Sequence, residues 1–297
     1  MKKIFVLDAN NVLLDLKRAL GRQLHDTPNG ADTLVLWNDI AGQCKEIAYW
    51  GKSVGKEVIV MQHGRGATRD YAPPNSLPLT ADKIMVWGKK DKDRMLKAGV
   101  SEDRIFVTGT TIFDHLKPRY INQTPVITFA PIRWNKIVPE NKIVADRIYK
   151  YCQEKGYRMM TKNVVSSVAE EYPNTWWSNN FSDDHIDKCV AVLRETDVVV
   201  DMENGTFALL AMAMNIPVVW CDIAKLADLD ETRKTSQMEK NNPLGTSYTD
   251  KLDGLEYAIK RGLLDSRMNM ERKQVCIDDG GFGKKALENI LKCVKGE

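Results

Sequence analysis

One of the four histidines in the chain stands in a segment rich in glycine and arginine, QHGRGATR (residues 62–69), directly after an apolar run. An imidazole titrates near neutral pH, so His63 could take a proton from a hydroxyl group as a general base. Gly64 would let a ligand approach the backbone closely, and Arg65 and Arg69 could bind phosphate oxygens. We therefore predict catalysis at His63 and ligand contacts at its three neighbours. The competing interpretation is a histidine that caps a strand beside solvated arginines.

A second segment, DVVVDMENGTFALLAMAM (residues 197–214), runs from an apolar strand into a helix through four residues of mixed type. A helix N-terminus offers unpaired N–H groups and the positive end of the helix dipole, which together favour a diphosphate. Gly205 would permit close approach, and the Thr206 hydroxyl could bind a phosphate or cap the helix. Glu203 and Asn204 complete this candidate binding set. Simple N-capping is the alternative, and both functions can hold at once.

A third segment, TFAPIRWN (residues 128–135), also ends a strand in a loop. Arg133 could neutralise a diphosphate, and Trp134 could stack on a base or a sugar. The alternative is that both are surface residues. Asp8 follows the first apolar run of the chain and is a second candidate for acid–base chemistry. Two other histidines lie in polar surroundings and are predicted to be solvated, His115 and His185.

The apolar runs that precede these segments are short and nearly continuous, as in buried parallel strands, and they alternate with helical stretches. This order predicts an α/β protein made of βαβ units. The pattern restarts after a polar segment at 114–124, which divides the chain into an N-terminal lobe (1–118) and a C-terminal lobe with closing helices (119–297). Ligands of open parallel sheets bind beyond the carboxyl ends of the strands, so we expect the candidates to line a cleft between the lobes.

The composition narrows the class of protein. The sequence is 43% hydrophobic and 28% charged, and its net charge of +3 is spread over runs of mixed sign. This argues against a dedicated nucleic-acid surface. Six scattered cysteines show no C-x-x-C pair, which predicts reduced thiols and no metal site. No apolar run approaches the ~20 residues of a membrane helix, and no cleavable leader is evident, so we expect a cytoplasmic protein without stable membrane insertion.

Several segments resemble known families. The stretch ADKIMVWGKKDKDRMLKAGVSEDRIFVTGTTIFDHL (81–116) resembles the non-hydrolysing UDP-N-acetylglucosamine 2-epimerases, most closely in VTGTTIFD (107–114). The pieces QHG (62–64), FAPIRW (129–134) and GGFGKKALENIL (280–291) resemble the CDP-glycerol glycerophosphotransferases and related capsule-type transferases. Both groups belong to the GT-B superfamily of nucleotide-sugar enzymes. The resemblance implies two Rossmann-like parallel-sheet lobes with an interlobe cleft.

Departures from these families favour transfer over epimerisation. The epimerases carry a glutamate two residues after their cleft histidine, where this chain has Arg65, and their second-lobe motif carries glutamates, where this chain has ENGTFALLA (203–211). Epimerisation needs acid and base groups on both sides of the sugar, so these replacements count against it. The transferases use the histidine of a His-Gly pair as a base, which His63 and Gly64 match. They place paired hydroxyl residues on the diphosphate, which residues 204–206 match in part.

We therefore expect a metal-independent GT-B glycosyltransferase, or polyol-phosphate transferase, with no cofactor. It would take a group from a nucleotide-activated donor of the UDP or CDP type and place it on an acceptor hydroxyl. The C-terminal lobe would bind the donor, because Arg133 and a helix dipole supply positive charge there. The N-terminal lobe would hold the acceptor, a glycan, a polyol or a modified base in DNA. The alternatives are a sugar-nucleotide epimerase and a non-catalytic nucleotide-sugar-binding protein.

Overall fold

The chain forms two compact units in the computed structural model. Unit 1 comprises Met1–His115 and Ile277–Glu297, and unit 2 comprises Leu116–Cys276. The structure describes the following residues: 2–7, 13–37, 39, 42–62, 80–117, 119–131, 139–163, 172, 175–177, 185–202, 206–221, 247–249, 251–266 and 283–296.

Unit 1 is built on a five-stranded parallel sheet whose strands lie side by side in chain order, from β1 to β5. The strands are β1 (Ile4–Leu7), β2 (Thr33–Leu36), β3 (Glu57–Met61), β4 (Lys83–Val86) and β5 (Ile105–Val107). The helices between them are α1 (Leu14–Leu20), α2 (Gly42–Ser53) and α3 (Lys89–Lys97). Short 3₁₀ turns occupy Gly21–Gln23, Glu102–Arg104 and Ile112–His115. The order strand–helix–strand is the one that the alternating apolar runs predict.

Both faces of this sheet are covered, which explains why its strands are apolar at successive positions rather than at alternate ones. Side chains on one face pack against α2 and α3 in a cluster that includes Leu34, Leu36, Val58, Val60, Cys44, Ala48 and Met95. Side chains on the other face pack against α1 and a helix near the end of the chain, α8 (Gly283–Lys295). That cluster includes Val35, Ile59, Met61, Leu16, Leu20, Ile290 and Val294.

Helix α8 belongs to unit 1, whereas the sequence analysis assigns it, with the rest of 119–297, to the C-terminal lobe. Its apolar side chains Ile290, Cys293 and Val294 are buried against the sheet beside α1. The physical reason is the hydrophobic effect, because α8 buries apolar side chains of β1, β3 and β4 on the face of the sheet that α2 and α3 do not cover. The order of the elements along the sequence does not indicate that the last helix packs against the first unit.

Unit 2 contains a six-stranded parallel sheet in the order β11-β10-β9-β6-β7-β8. Its strands are β6 (Val126–Ala130), β7 (Arg158–Asn163), β8 (Thr175–Trp177), β9 (Val198–Asp201), β10 (Val218–Cys221) and β11 (Ser247–Thr249). Its helices are α4 (Pro139–Lys155), α5 (His185–Arg194), α6 (Thr206–Ala213) and α7 (Leu255–Ser266), with a 3₁₀ turn at Leu252–Gly254. The central strands β6, β9 and β10 are buried at every position.

The core of unit 2 explains the position of these central strands. Helices α4 and α7 cover one face of the sheet, where they meet Ile127, Phe129, Val198 and Val200. Helices α5 and α6 contact each other, and seven consecutive residues of α6, Phe207–Ala213, are buried. A helix that is apolar on all sides must lie inside the protein. The segment FALLAMA therefore forms the most deeply placed helix in the part of unit 2 that the structure describes.

The two parallel sheets confirm the predicted α/β class, and the apolar runs before the three candidate segments form strands β3, β6 and β9. The two edge strands β8 and β11 were not predicted. Five cysteines are free and buried, as expected, Cys44, Cys152, Cys189, Cys221 and Cys293. None of the helices that the structure describes is long and apolar enough to cross a membrane.

Candidate functional site

The candidates of unit 1 follow the carboxyl ends of β1 and β3. Strand β1 ends at Leu7, one residue before Asp8, and β3 ends at Met61, two residues before His63. Because β2 pairs with both strands, the two ends are roughly 10 Å apart at one edge of the sheet. The described residues do not include the two acid–base candidates, Asp8 and His63. They also do not include the ligand-contact candidates Gly64, Arg65 and Arg69, so the roles of all these residues stay predictions.

The residue directly before His63 is held in place by three hydrogen bonds. The backbone N–H of Gln62 donates to the carbonyl of Met85 at 2.9 Å, and the N–H of Trp87 donates to Gln62 Oε1 at 2.9 Å. The indole Nε1–H of Trp87 donates to the Gln62 carbonyl, also at 2.9 Å. Gln62 and Trp87 are both buried. The chain therefore leaves β3 from a fixed point, which a catalytic group on the next residue requires.

The segment VTGTTIFD, which carries the closest resemblance to the epimerases, forms the turn after β5. Gly109 adopts a φ of 78°, a left-handed conformation that glycine accepts without strain. Thr108, Thr110 and Thr111 are buried, and the hydroxyl of Thr110 accepts the N–H of Ile112 at 3.2 Å. These threonines hold the turn together. The structure thus gives this segment a local structural role at the carboxyl edge of the sheet.

The junction between β9 and α6 in unit 2 has the strand–loop–helix form that the sequence predicts. Asp201 and Met202 are buried at the strand end, and the Met202 N–H donates to the Ala130 carbonyl of the neighbouring strand at 3.0 Å. Helix α6 begins at Thr206, which is half-buried and is the one described residue of the predicted binding set. The other members lie outside the described residues: Glu203, Asn204, Gly205, Arg133 and Trp134.

The carboxyl ends of β6 and β9 are neighbours, because Ala130 pairs with Asp201. Pro131 is the last residue described after β6, and Arg133 and Trp134 follow it closely in the sequence. The segment that carries these two residues therefore begins beside the strand that leads to α6. Both predicted donor-binding segments start at adjacent strands on one edge of the sheet, as ligand sites of parallel sheets require.

A buried polar cluster in unit 2 was missed by the sequence analysis. Lys162 of β7 is 8% exposed, and its Nζ lies 4.8 Å from the ring centroid of Phe207, in the first turn of α6. His185, at the start of α5, is 5% exposed, so its prediction as a solvated residue was wrong. Its Nε2 lies 3.7 Å from Sγ of Cys189, one helical turn further on. The acidic residues before His185 suggested a surface position, although α5 buries His185 and Ile186 and exposes the next two residues, Asp187 and Lys188.

Two thiols of unit 2, those of Cys152 and Cys189, are poor nucleophiles in these surroundings. Burial raises the pKa of Cys189 to about 11, and the nearby Lys162 charge only partly opposes this effect. Burial raises the pKa of Cys152 to about 12. A thiol is reactive as the thiolate, so neither group suits nucleophilic catalysis at neutral pH. Within the described residues, no cluster of three or more His, Cys, Asp or Glu side chains could hold a metal ion. Metal independence stays a prediction.

Two parallel-sheet units of this kind define the class of protein: the chain has a GT-B-like α/β fold. Three solved structures are similar in fold over almost the whole chain. The wall teichoic acid polymerase TagF aligns with a TM-score of 0.61 and 12% identity, over 99% of this chain and 89% of its own. The UDP-GlcNAc 2-epimerase of Methanocaldococcus jannaschii, in complex with UDP-GlcNAc and UDP, aligns with a TM-score of 0.59 and 13% identity. That alignment covers 98% of this chain and 83% of the epimerase.

The third structure, the UDP-GlcNAc 2-epimerase of Neisseria meningitidis bound to UDP-GlcNAc, aligns with a TM-score of 0.60 and 11% identity. That alignment covers 97% of this chain and 81% of the Neisseria meningitidis epimerase. No protein-family model matches the sequence, and no curated protein matches it. The similarity therefore lies in the fold, and these neighbours include both a polymerase and epimerases.

Proposed function

We propose that this protein is a GT-B transferase that moves a glycosyl or polyol-phosphate group from a nucleotide-activated donor to an acceptor hydroxyl. The observation that carries the proposal is the β9–α6 junction of unit 2. A buried strand leads there into a wholly buried helix that begins with the half-buried Thr206, at the carboxyl edge of a parallel sheet. Such a helix N-terminus favours phosphate. Solved structures of this fold include an epimerase in complex with UDP-GlcNAc and UDP and a TagF variant with CDPG.

In this proposal unit 2 binds the donor. The diphosphate rests on the backbone amides of residues 204–206, with the Thr206 hydroxyl as a further donor of a hydrogen bond. Glu203 is a further member of the proposed donor-binding set. Arg133 offsets the charge of the diphosphate, and Trp134 stacks on the base or the sugar. The helix dipole and the guanidinium group supply the positive charge that other transferases obtain from a metal ion, so no metal is required.

Unit 1 binds the acceptor and activates it. His63 removes the proton from the acceptor hydroxyl, which then attacks the carbon or phosphorus atom of the donor and releases the nucleotide. Gly64, Arg65 and Arg69 contact the acceptor or its phosphates, and Asp8 is the second candidate for the base. A glycan, a polyol and a modified base in DNA are the acceptor classes that this chemistry leaves open.

Sugar-nucleotide epimerisation is the second candidate, because the similar solved structures include UDP-GlcNAc 2-epimerases. Two features weigh against it. The first turn of α6 contains no acidic residue, and residue 65 is an arginine where the epimerases carry a glutamate. Without these carboxylates, acid and base groups on both sides of a sugar ring are harder to supply.

A nucleotide panel followed by product analysis tests the proposal. UDP, CDP, GDP and dTDP, each with a matching sugar or polyol conjugate, are added and the melting of the protein is recorded. A ligand at ~100 times its Kd stabilises the folded state by about 2.7 kcal/mol. The stabilising conjugate is then incubated with candidate acceptors, and the products are separated by chromatography and identified by mass spectrometry and NMR, since an epimer has the same mass as its donor. A transferase yields a modified acceptor, and an epimerase converts the donor without any acceptor.

Replacement of Gly205 by valine links this result to the β9–α6 junction. The added side chain would occupy the space between a diphosphate and the first turn of α6, so we expect the nucleotide Kd to rise at least tenfold. Circular dichroism checks that the fold is intact. Equal nucleotide affinity in a folded Gly205→Val variant would remove the donor site from this junction, and stabilisation without any turnover would identify a binding protein.

A further inference from the structure

Lys162 is a buried cation at the carboxyl end of β7. Only 8% of its surface is exposed, and its Nζ lies 4.8 Å from the ring centroid of Phe207. Among the residues that the structure describes, no carboxylate lies within ion-pair distance of it. A ring face attracts an ammonium group, but it offsets only part of the free energy of dehydration that burial costs. Within the described part of the chain, Lys162 therefore has no anionic partner.

The surroundings of Lys162 do not supply that anion. On one side lie Cys189, a neutral thiol because burial raises its pKa to about 11, and His185, whose Nε2 faces the Cys189 Sγ at 3.7 Å. Asp201 points to the same face of the sheet, on β9, with β6 between them. It interacts with other groups and forms no ion pair with Lys162. No neighbour in this part of the structure is a ready counter-ion.

The position of the ammonium group relative to α6 indicates which anion fits. Phe207, whose ring Lys162 covers, is the second residue of α6, and Thr206 is the first. The first turn of a helix presents unpaired N–H groups and the positive end of its dipole. Two independent features, the helix terminus and the buried ammonium, therefore favour negative charge at the same carboxyl edge of the sheet. An anion with several oxygens can engage both.

We propose that Lys162 binds the phosphate groups of the nucleotide ligand and is the counter-ion of its diphosphate. This inference rests on the proposed function and deepens it, because it makes ligand selection depend on phosphate. A nucleoside brings no charge to Lys162, a monophosphate brings some, and a diphosphate brings most. Affinity therefore rises along this series in the parent, and most of that rise depends on one buried amine that the sequence motifs do not mark.

The test compares the parent with Lys162→Met, which keeps the length of the side chain and removes its charge. The matched control is Lys188→Met, the same change at an exposed lysine of α5. Calorimetry measures the Kd of the nucleoside, monophosphate and diphosphate of the base that stabilises the parent. We expect Lys162→Met to weaken diphosphate binding about tenfold or more, as loss of a charge-assisted contact does, and to leave nucleoside binding unchanged. Lys188→Met should match the parent throughout.

Melting of the ligand-free proteins separates a binding role from a structural one. If Lys162 lacks an anion, Lys162→Met melts at the same temperature as the parent or higher, since the variant no longer buries an uncompensated charge. Equal diphosphate affinity in the parent and the variant overturns the inference. A lower melting temperature with equal affinity overturns it too and indicates an ion pair within the chain. If Lys162→Met does not fold, the same affinity and melting measurements are made on Lys162→Gln.

Inorganic pyrophosphate distinguishes failure of this inference from failure of the proposed function. A parent that binds no nucleotide but binds pyrophosphate through Lys162 would contradict the proposed function and support the phosphate site. A parent that binds neither would overturn both. Equal diphosphate affinity in the parent and in Lys162→Met would leave the transferase proposal in place and remove Lys162 from it.

Discussion

At the scale of single residues, the proposed transfer depends most on the imidazole of His63. Replacement by alanine should lower turnover about 10²–10⁴-fold, the usual contribution of a positioned acid or base. The donor Kd should barely change, because the donor site is assigned to unit 2. The rate of the parent should rise with pH as the imidazole loses its proton, and that rise should be absent in the variant. Steady-state kinetics over a pH series checks both.

His25 offers a matched control for this variant. Its N–H donates to the Ile4 carbonyl at 2.8 Å, so it lies at the amino end of β1, on the opposite edge of the sheet from the His63 loop. Its Nδ1 lies 2.9 Å from the Thr27 carbonyl. His25→Ala should keep the rate and the pH profile of the parent. A His63→Ala variant with full activity would transfer the role of base to Asp8, the next candidate to replace.

At the scale of elements, one carboxylate and two lysines hold helix α8 to the amino edge of the unit 1 sheet. Glu57 accepts hydrogen bonds from Lys2 at 2.7 Å and forms an ion pair with Lys83 at 2.8 Å. The same lysines donate to the carbonyls of Val294 and Cys293, near the end of α8, at 3.2 and 3.3 Å. These carbonyls have no partner within a helix, so the two cations complete its C-terminus.

Glu57→Gln should therefore destabilise unit 1. Burial raises the pKa of Glu57, but the hydrogen bonds and charges of Lys2 and Lys83 outweigh burial and hold it below its ordinary value. A carboxyl whose pKa is lower in the folded state stabilises the protein above the pKa of the unfolded state. That stability is lost as the pH falls through the folded pKa. We expect Glu57→Gln to cost about 1–3 kcal/mol at pH 7 and progressively less in acid, as measured by urea unfolding at several pH values.

The exposed pair of Lys92 and Glu102, at 2.6 Å, serves as the control for this experiment. Glu102 is mostly solvent-accessible, and such surface pairs contribute little to stability. Glu102→Gln should therefore stay close to the parent at every pH. A Glu57→Gln variant that behaves like Glu102→Gln would mean that the two lysines hold α8 without help from the carboxylate.

At the scale of the whole molecule, α8 completes the core of unit 1. Ile290 is 1% exposed and packs with residues of β1, β3 and α1. Ile290→Ala should cost about 2–5 kcal/mol, the range for such changes in a core. Hydrogen exchange should show the loss in β1, β3 and β4, while β6 and β9 keep their protection. Lys285→Ala, at an exposed position of the same helix, is the control. Equal loss of protection in both units would contradict the assignment of α8 to unit 1.

A feature of the fold or of the candidate site could be predicted from the sequence where its signal comes from residues that are neighbours along the chain. Strands such as β3 and β9 were predictable because burial on both faces makes four or five successive residues apolar. The edge strands β8 and β11 have three residues each and carry no such run. Local patterns marked the loops after β3 and β9 as candidate sites. They could not reveal Lys162 or the bonds between Gln62 and Trp87, because these depend on which strands become neighbours.

The return of α8 to unit 1 also has a consequence for the order in which the protein is made. Of the two units, the one that leaves the ribosome first contains β1 to β5, yet the face of its sheet that α1 and α8 share is only partly covered until α8 has been synthesised. Unit 2 is continuous in sequence and can fold earlier. At 5–20 residues per second, the wait between His115 and α8 is on the order of ten seconds or more. Throughout that time the apolar face beside α1 is available to chaperones, so the unit begun first is finished last.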